Sequence, residues 1–148
     1  MTNDRSQLLA SSQTNSGAPG RGLLWTGRVL SALGVLFMTM DASMKVLQLP
    51  VAVQGTTQLG YPASVILPLG LLQVACLILY LVPRTAVFGA ILWTGYLGGA
   101  VATHVRVQNP WFSHILFPVY VALLFWVGLT LRMPALRALL FPQQPSNP

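Results

Sequence analysis

The sequence predicts an all-α protein, a bundle of four transmembrane helices with both termini in the cytoplasm. Charged residues make up only 7% of the 148 positions, hydrophobic ones 54%, and the mean hydropathy is +0.66. A soluble domain carries about 25% charged residues, so this chain has too few charges to cover a surface in water. The apolar residues fall into four runs, at about 24–46, 63–82, 85–104 and 114–132, each near the ~20 residues that cross ~30 Å of hydrocarbon. Cations mark the run ends unevenly. With four spans, Arg5, Arg21, Arg28, Arg84, Arg132 and Arg137 fall on one side, and only Lys45 and Arg106 on the other. The positive-inside rule places the richer side, with both tails, in the cytoplasm.

Residues 1–22 are polar and rich in Ser, Gly and Pro, the composition of a disordered tail rather than a signal peptide. The first span follows directly and reads as an uncleaved anchor. Arg28 and Lys45 lie ~25 Å apart along it at ~1.5 Å per residue, so each can snorkel to its own interface. That leaves Asp41 unexplained. Residues 47–62 are uncharged and moderately apolar, which suits a short helix lying flat at the interface. The second and third spans are joined by Pro83 and Arg84 alone, which forces an antiparallel hairpin. Asn109 and Pro110 supply the next turn, and Trp111 and Phe112 are interfacial anchors. The membrane domain thus covers 23–140, followed by a disordered tail at 141–148. Pro68 and Pro118 are expected to kink the second and fourth helices.

Several function classes are excluded by inspection. The cations are single and widely spaced, unlike a groove for nucleic acid. Cys76 is the only cysteine, so there is no CxxC motif, and no Walker, GxGxxG, HExxH or nucleophile-elbow pattern occurs. The single carboxylate in the spans and the lack of an internal repeat argue against a transporter. Catalysis by this chain alone is not expected.

The remaining polar chemistry converges on the outer end. Asp41 and Lys45 share a helix face at i, i+4 spacing, as a proton or ligand site or as a structural ion pair. His104 closes the third helix, His114 opens the fourth, and Arg106 lies between them. Asp41, Lys45, His104, Arg106 and His114 therefore form the candidate ligand-binding cluster, with Asn109 beside it. Two histidines on neighbouring helices can ligate haem or a metal, but no Cys, Asp or Glu accompanies them, and no metal site is assigned. Gly95 and Gly99 stand at GxxxG spacing, which marks a close helix contact within the chain or between copies. Gln73, Thr94 and Tyr96 are available for hydrogen bonds at depth.

The residues also carry a resemblance. DASMKVLQLP in the first helix, LGYP before the second, LYLVPRTAVFGAILWTGYLGGAVATHVRV across the second and third, and HILFPVY opening the fourth resemble the DoxX-like family of small bacterial membrane proteins. The likeness covers roughly residues 26–140 and implies a four-helix membrane bundle. Some relatives in the wider superfamily are associated with quinone-linked sulfur oxidation or with thiol and superoxide defence, yet a lone Cys76 departs from a thiol-active pattern. The expected function is an accessory inner-membrane component whose outer cluster binds a small ligand, a lipid headgroup or a partner subunit. The alternative is a membrane subunit of a redox system in which His104 or His114 hydrogen-bonds a quinone carbonyl. No cofactor is predicted beyond quinone or haem in that case. The partners are the bilayer, a redox subunit under the alternative, and a second copy of the chain through the glycine face.

Overall fold

The computed structural model describes residues 20–141, so of the tails expected at 1–22 and 141–148 all but 20–22 and 141 lie outside the described residues, and Arg21 and Gly22 belong to the first helix. Four helices are long and apolar enough to cross a membrane. They are α1 (Arg21–Val46), α3 (Ile66–Leu81, entered through a 3-10 turn at Ala63–Val65), α4 (Ala86–Arg106) and α5 (Phe117–Arg132, entered through a π turn at Trp111–Ile115). Two short helices flank them: α2 (Pro50–Gln58) between the first two spans, and α6 (Pro134–Leu140) after the last. No strand occurs among the described residues. The chain is a multi-pass membrane protein built as an all-α bundle.

The element boundaries follow from local chemistry. Helix α1 starts at Arg21, before the apolar run begins, because terminal polar residues continue a helix at little cost once the span is nucleated. The short helix expected between the first two spans is α2, with proline in its first turn. Gln48 and Gly60 flank it at φ +50° and +84°, left-handed conformations that let the chain leave one helix and enter the next. Pro118 does not kink its helix. It sits in the first turn of α5, where its missing N–H costs no hydrogen bond. Pro68 likewise falls in the first turn of α3. Helix α6 has no counterpart in the sequence reading.

The spans are arranged in chain order around a ring: α1 packs on α3, α3 on α4, α4 on α5, and α5 closes on α1. Contacts along the length show each neighbour antiparallel. Asp41 meets Gln73 and Ser31 meets Tyr80, while Gly34 lies under Phe125 and Gly27 under Gly128. The outward faces are apolar and exposed, as with Leu36 (69%), Leu71 (54%) and Ile91 (53%). An inward-facing polar stripe and an outward-facing apolar one are what a bilayer solvent selects.

The half of the bundle nearer Arg132 is closed. Buried Gly27, Ser31 and Gly34 make one face of α1, and a Cβ added at Gly27 would come within 2.9 Å of the Gly128 carbonyl oxygen. Gly128 in turn faces the Ser31 hydroxyl and backbone. Gly89 fits against the backbone of Tyr80 in the same way. Between these contacts the Trp93 and Phe125 rings stack 5.3 Å apart, and Tyr80 meets Phe125 edge-on at 4.7 Å. The Tyr80 hydroxyl is 2.9 Å from Ser31 Oγ and donates to the Phe125 carbonyl at 3.1 Å, so this buried polar atom is satisfied.

Candidate functional site: a cavity at the Lys45 end

At the other end the helices separate around a cavity of about 820 Å³, within the range that takes a small organic ligand. Its floor is apolar, with Phe37, Leu97, Phe117 and Val121, and α2 roofs it through Val51, Ala52 and Gly55. The polar side chains come from six parts of the chain: Asp41 and Lys45 on α1, Thr56 and Gln58 on α2, Tyr61 in the connection after it, Tyr96, Thr103 and His104 on α4, Asn109 in the turn, and His114 before α5.

Asp41 and Lys45 form the expected ion pair one turn apart, with side chains 28% and 14% exposed. Gln73 on α3 adds a second donor to the same carboxylate oxygen at 2.5 Å. Gln73 is fully buried, and its Oε1 has no hydrogen-bond partner among the described residues. The carboxylate is thus held by α1 and α3 together, which ties the two spans at the cavity rim. This is the arrangement by which a charge is tolerated at depth.

The two imidazoles face each other with ring centroids 5.7 Å apart. His104 Nδ1 pairs with the Asn109 side-chain amide, and His114 Nδ1 with Ser113 Oγ, each at 2.8 Å. Each ring is thereby oriented through one nitrogen while Nε2 makes no protein hydrogen bond among those found. No group of three His, Cys, Asp or Glu side chains able to hold a metal occurs among the described residues.

Arg106 is not part of the cavity wall. Its guanidinium donates to the Leu59 carbonyl and lies beside Gly60, where a Cβ would come within 3.0 Å of it. A second bridge, Tyr61 hydroxyl to Thr103 Oγ1 at 2.8 Å, joins the same connection to α4. Arg106 therefore latches the roof to the bundle instead of facing a ligand. Gly95 and Gly99 also differ from expectation. A Cβ at either would meet nothing within 4 Å, and both line the cavity. They make no close contact between helices of this chain; the close contacts are at Gly27, Gly70, Gly89 and Gly128.

Four of the five cluster residues, Asp41, Lys45, His104 and His114, thus border one cavity, and Arg106 closes it from above. The sequence gives Gln73 and Tyr96 only hydrogen bonds at depth, and it does not join Tyr61 to Thr103. The small-residue pair Gly27 and Ser31, also at i, i+4, carried the signal for the true contact with α5. Thr94 accepts from Trp126 Nε1 at 2.8 Å across α4 and α5. Cys76 is buried, with no second cysteine in the chain.

No curated protein and no solved structure matches the chain. The profile of the DoxX-like family matches residues 29–128, a stretch that runs from the first turns of α1 through Gly128 and includes every cavity-lining residue. The chain belongs to the DoxX-like family.

Proposed function

We propose that this protein is an accessory component of the bacterial inner membrane that binds a small amphiphilic molecule in the Lys45-end cavity, on the outer side of the bilayer. The observation that carries this reading is one half-open cavity with an apolar floor and a polar rim. A ligand tail would lie against Phe37, Leu97 and Phe117, and its head would meet Lys45, His104 and His114. The ion pair keeps the rim near neutral, and the two free Nε2 atoms offer hydrogen bonds without requiring a charged ligand. The cation distribution of six against two favours the orientation with this end outside.

The test compares solvent extracts of the purified wild type with those of Gly99→Leu, a bulky side chain at a position that lines the cavity and where an added Cβ meets nothing within 4 Å. A small molecule retained by the wild type and depleted in the variant is the expected result. Identical extracts from two equally folded proteins would overturn the reading.

The alternative, a membrane subunit of a quinone-linked redox system, is favoured by one feature, the His104 and His114 rings that meet edge-on at the rim, each with Nδ1 hydrogen-bonded to a neighbouring side chain. There a quinone carbonyl would accept a hydrogen bond. A quinone in the wild-type extract, seen in its ultraviolet spectrum, distinguishes this reading from a redox-inert ligand.

A further inference from the structure

The end of the bundle opposite the cavity has no ligand role so far, and its charges are unusual. Seven cations fall among the described residues, and five of them, Arg21, Arg28, Arg84, Arg132 and Arg137, lie at this end by the topology of the helices. The only acidic residue among the described residues is Asp41, at the other end and already paired. Three of the five arginines are held by neutral groups. Arg28 lies over the Trp25 ring at 5.7 Å and Arg132 over the Tyr80 ring at 5.1 Å. Arg137 donates to the Leu131 carbonyl at 2.9 Å. Arg132 Nε is buried with no hydrogen-bond partner among the described residues.

Helix α6 adds an apolar component. At seven residues it is far too short to cross the bilayer, and it packs only on α5. Leu136 is buried against the bundle, but Leu139 (78%), Leu140 (49%) and the following Phe141 (67%) are exposed. Trp25, also at this end, is 62% exposed. A short helix with large apolar side chains on one face and arginine beside them is suited to the headgroup layer. Clustered cations with no local carboxylate add an attraction to anionic lipid.

We propose that the Arg132 end is a docking surface for anionic phospholipid headgroups, with α6 lying in the headgroup layer and Arg84 and Arg137 contacting lipid phosphates. Charge complementarity selects this occupant: an uncharged leaflet would accept the apolar side chains but leave the arginines without counter-ions. The opposite rim carries only two of the cations among the described residues, Lys45 and Arg106, and Lys45 is neutralised by Asp41. The inference does not depend on what fills the cavity.

The experiment is hydrogen–deuterium exchange of the full-length protein in two nanodisc preparations, one of phosphatidylcholine alone and one with a third of the lipid replaced by phosphatidylglycerol. The amides of α2 at the opposite rim report any general effect of the charged surface on exchange. The expected result is slower exchange of α6 relative to α2 when phosphatidylglycerol is present. The difference is expected to shrink in Arg84→Gln/Arg137→Gln, with lipid affinity falling about five-fold per arginine, and at high salt. Equal exchange of α6 in both nanodiscs, after correction by α2, would overturn the proposal, as would a difference that the double variant leaves intact.

Discussion

At the Arg132 end of the bundle, glycines let backbones touch; at the Lys45 end, Gly70 still fits against the Val46 backbone, but Gly95 and Gly99 leave a space. Gly27 and Gly128 bring α1 and α5 together so closely that neither position has room for a methyl group. Gly95 and Gly99, in the more conspicuous motif, face open volume. The residue type is the same and the spacing is similar, so neither decides the outcome. What differs is the facing helix: α5 presents Gly128 to Gly27, whereas no small residue meets Gly99. In a bilayer no hydrophobic force drives helices together, and contact depends on complementary packing and on hydrogen bonds between them. The closed end has both, in the glycine pair and the Ser31, Tyr80 and Phe125 chain. The open end is held instead by bridges at its rim, the Asp41, Lys45 and Gln73 group and the Arg106 and Tyr61 latches.

The largest effect that would test this contrast is expected from Gly128→Leu. Its side chain would be forced into the Ser31 hydroxyl and backbone, with a loss of about 3 kcal/mol, the upper end of ordinary over-packing. Thermal unfolding in detergent measures it, and a melting temperature equal to wild type would show that α1 and α5 do not meet there. Next in size is Tyr80→Phe, which removes the hydroxyl shared by Ser31 and the Phe125 carbonyl and is expected to cost about 1.5 kcal/mol. If the same denaturation assay shows no loss, the polar chain is not what closes this end.

At the open end, Asp41→Asn is expected to cost about 1 kcal/mol, between the values for exposed and buried pairs, because Lys45 loses its counter-ion. Asp41→Asn/Lys45→Met is expected to be more stable than Asp41→Asn alone. A double variant that simply adds the two single losses would mean that the residues are not coupled. The smallest effect is a gain. Gly99→Ala removes backbone freedom from the unfolded chain and meets no atom in the fold, so it is expected to stabilise by about 0.5 kcal/mol. Destabilisation of Gly99→Ala comparable to that of Gly128→Ala would erase the distinction between the two glycine pairs.

Much of the site was legible in the sequence because depth is a one-dimensional property. The chain positions of Asp41, Lys45, His104 and His114 relative to the four apolar runs placed them at one level, and all four do border one cavity. Their orientation around each helix was not legible from position alone. Arg106, two residues beyond His104, turns to the α2 connection, and Gly95 and Gly99 turn to the cavity. Gln73 joins Asp41 only because α3 packs on α1 with a particular stagger, and nothing in the residues 32 positions apart specifies it. Helix α6 escaped notice because seven residues give too little periodicity to register.

The sequence by itself determined that the chain spans the bilayer four times, where each span begins and ends to within a few residues, and at which level its ionisable groups lie. Composition and run length suffice for that, because the cost of exposing polar backbone and charge to hydrocarbon leaves few alternatives. Three-dimensional packing decided which small residues meet, which helices beyond the hairpin of the second and third spans stand adjacent, and that one end closes while the other opens into a cavity. Those outcomes depend on matching surfaces from segments far apart in the chain, and a glycine in an apolar helix is compatible with both contact and space until its neighbour is known.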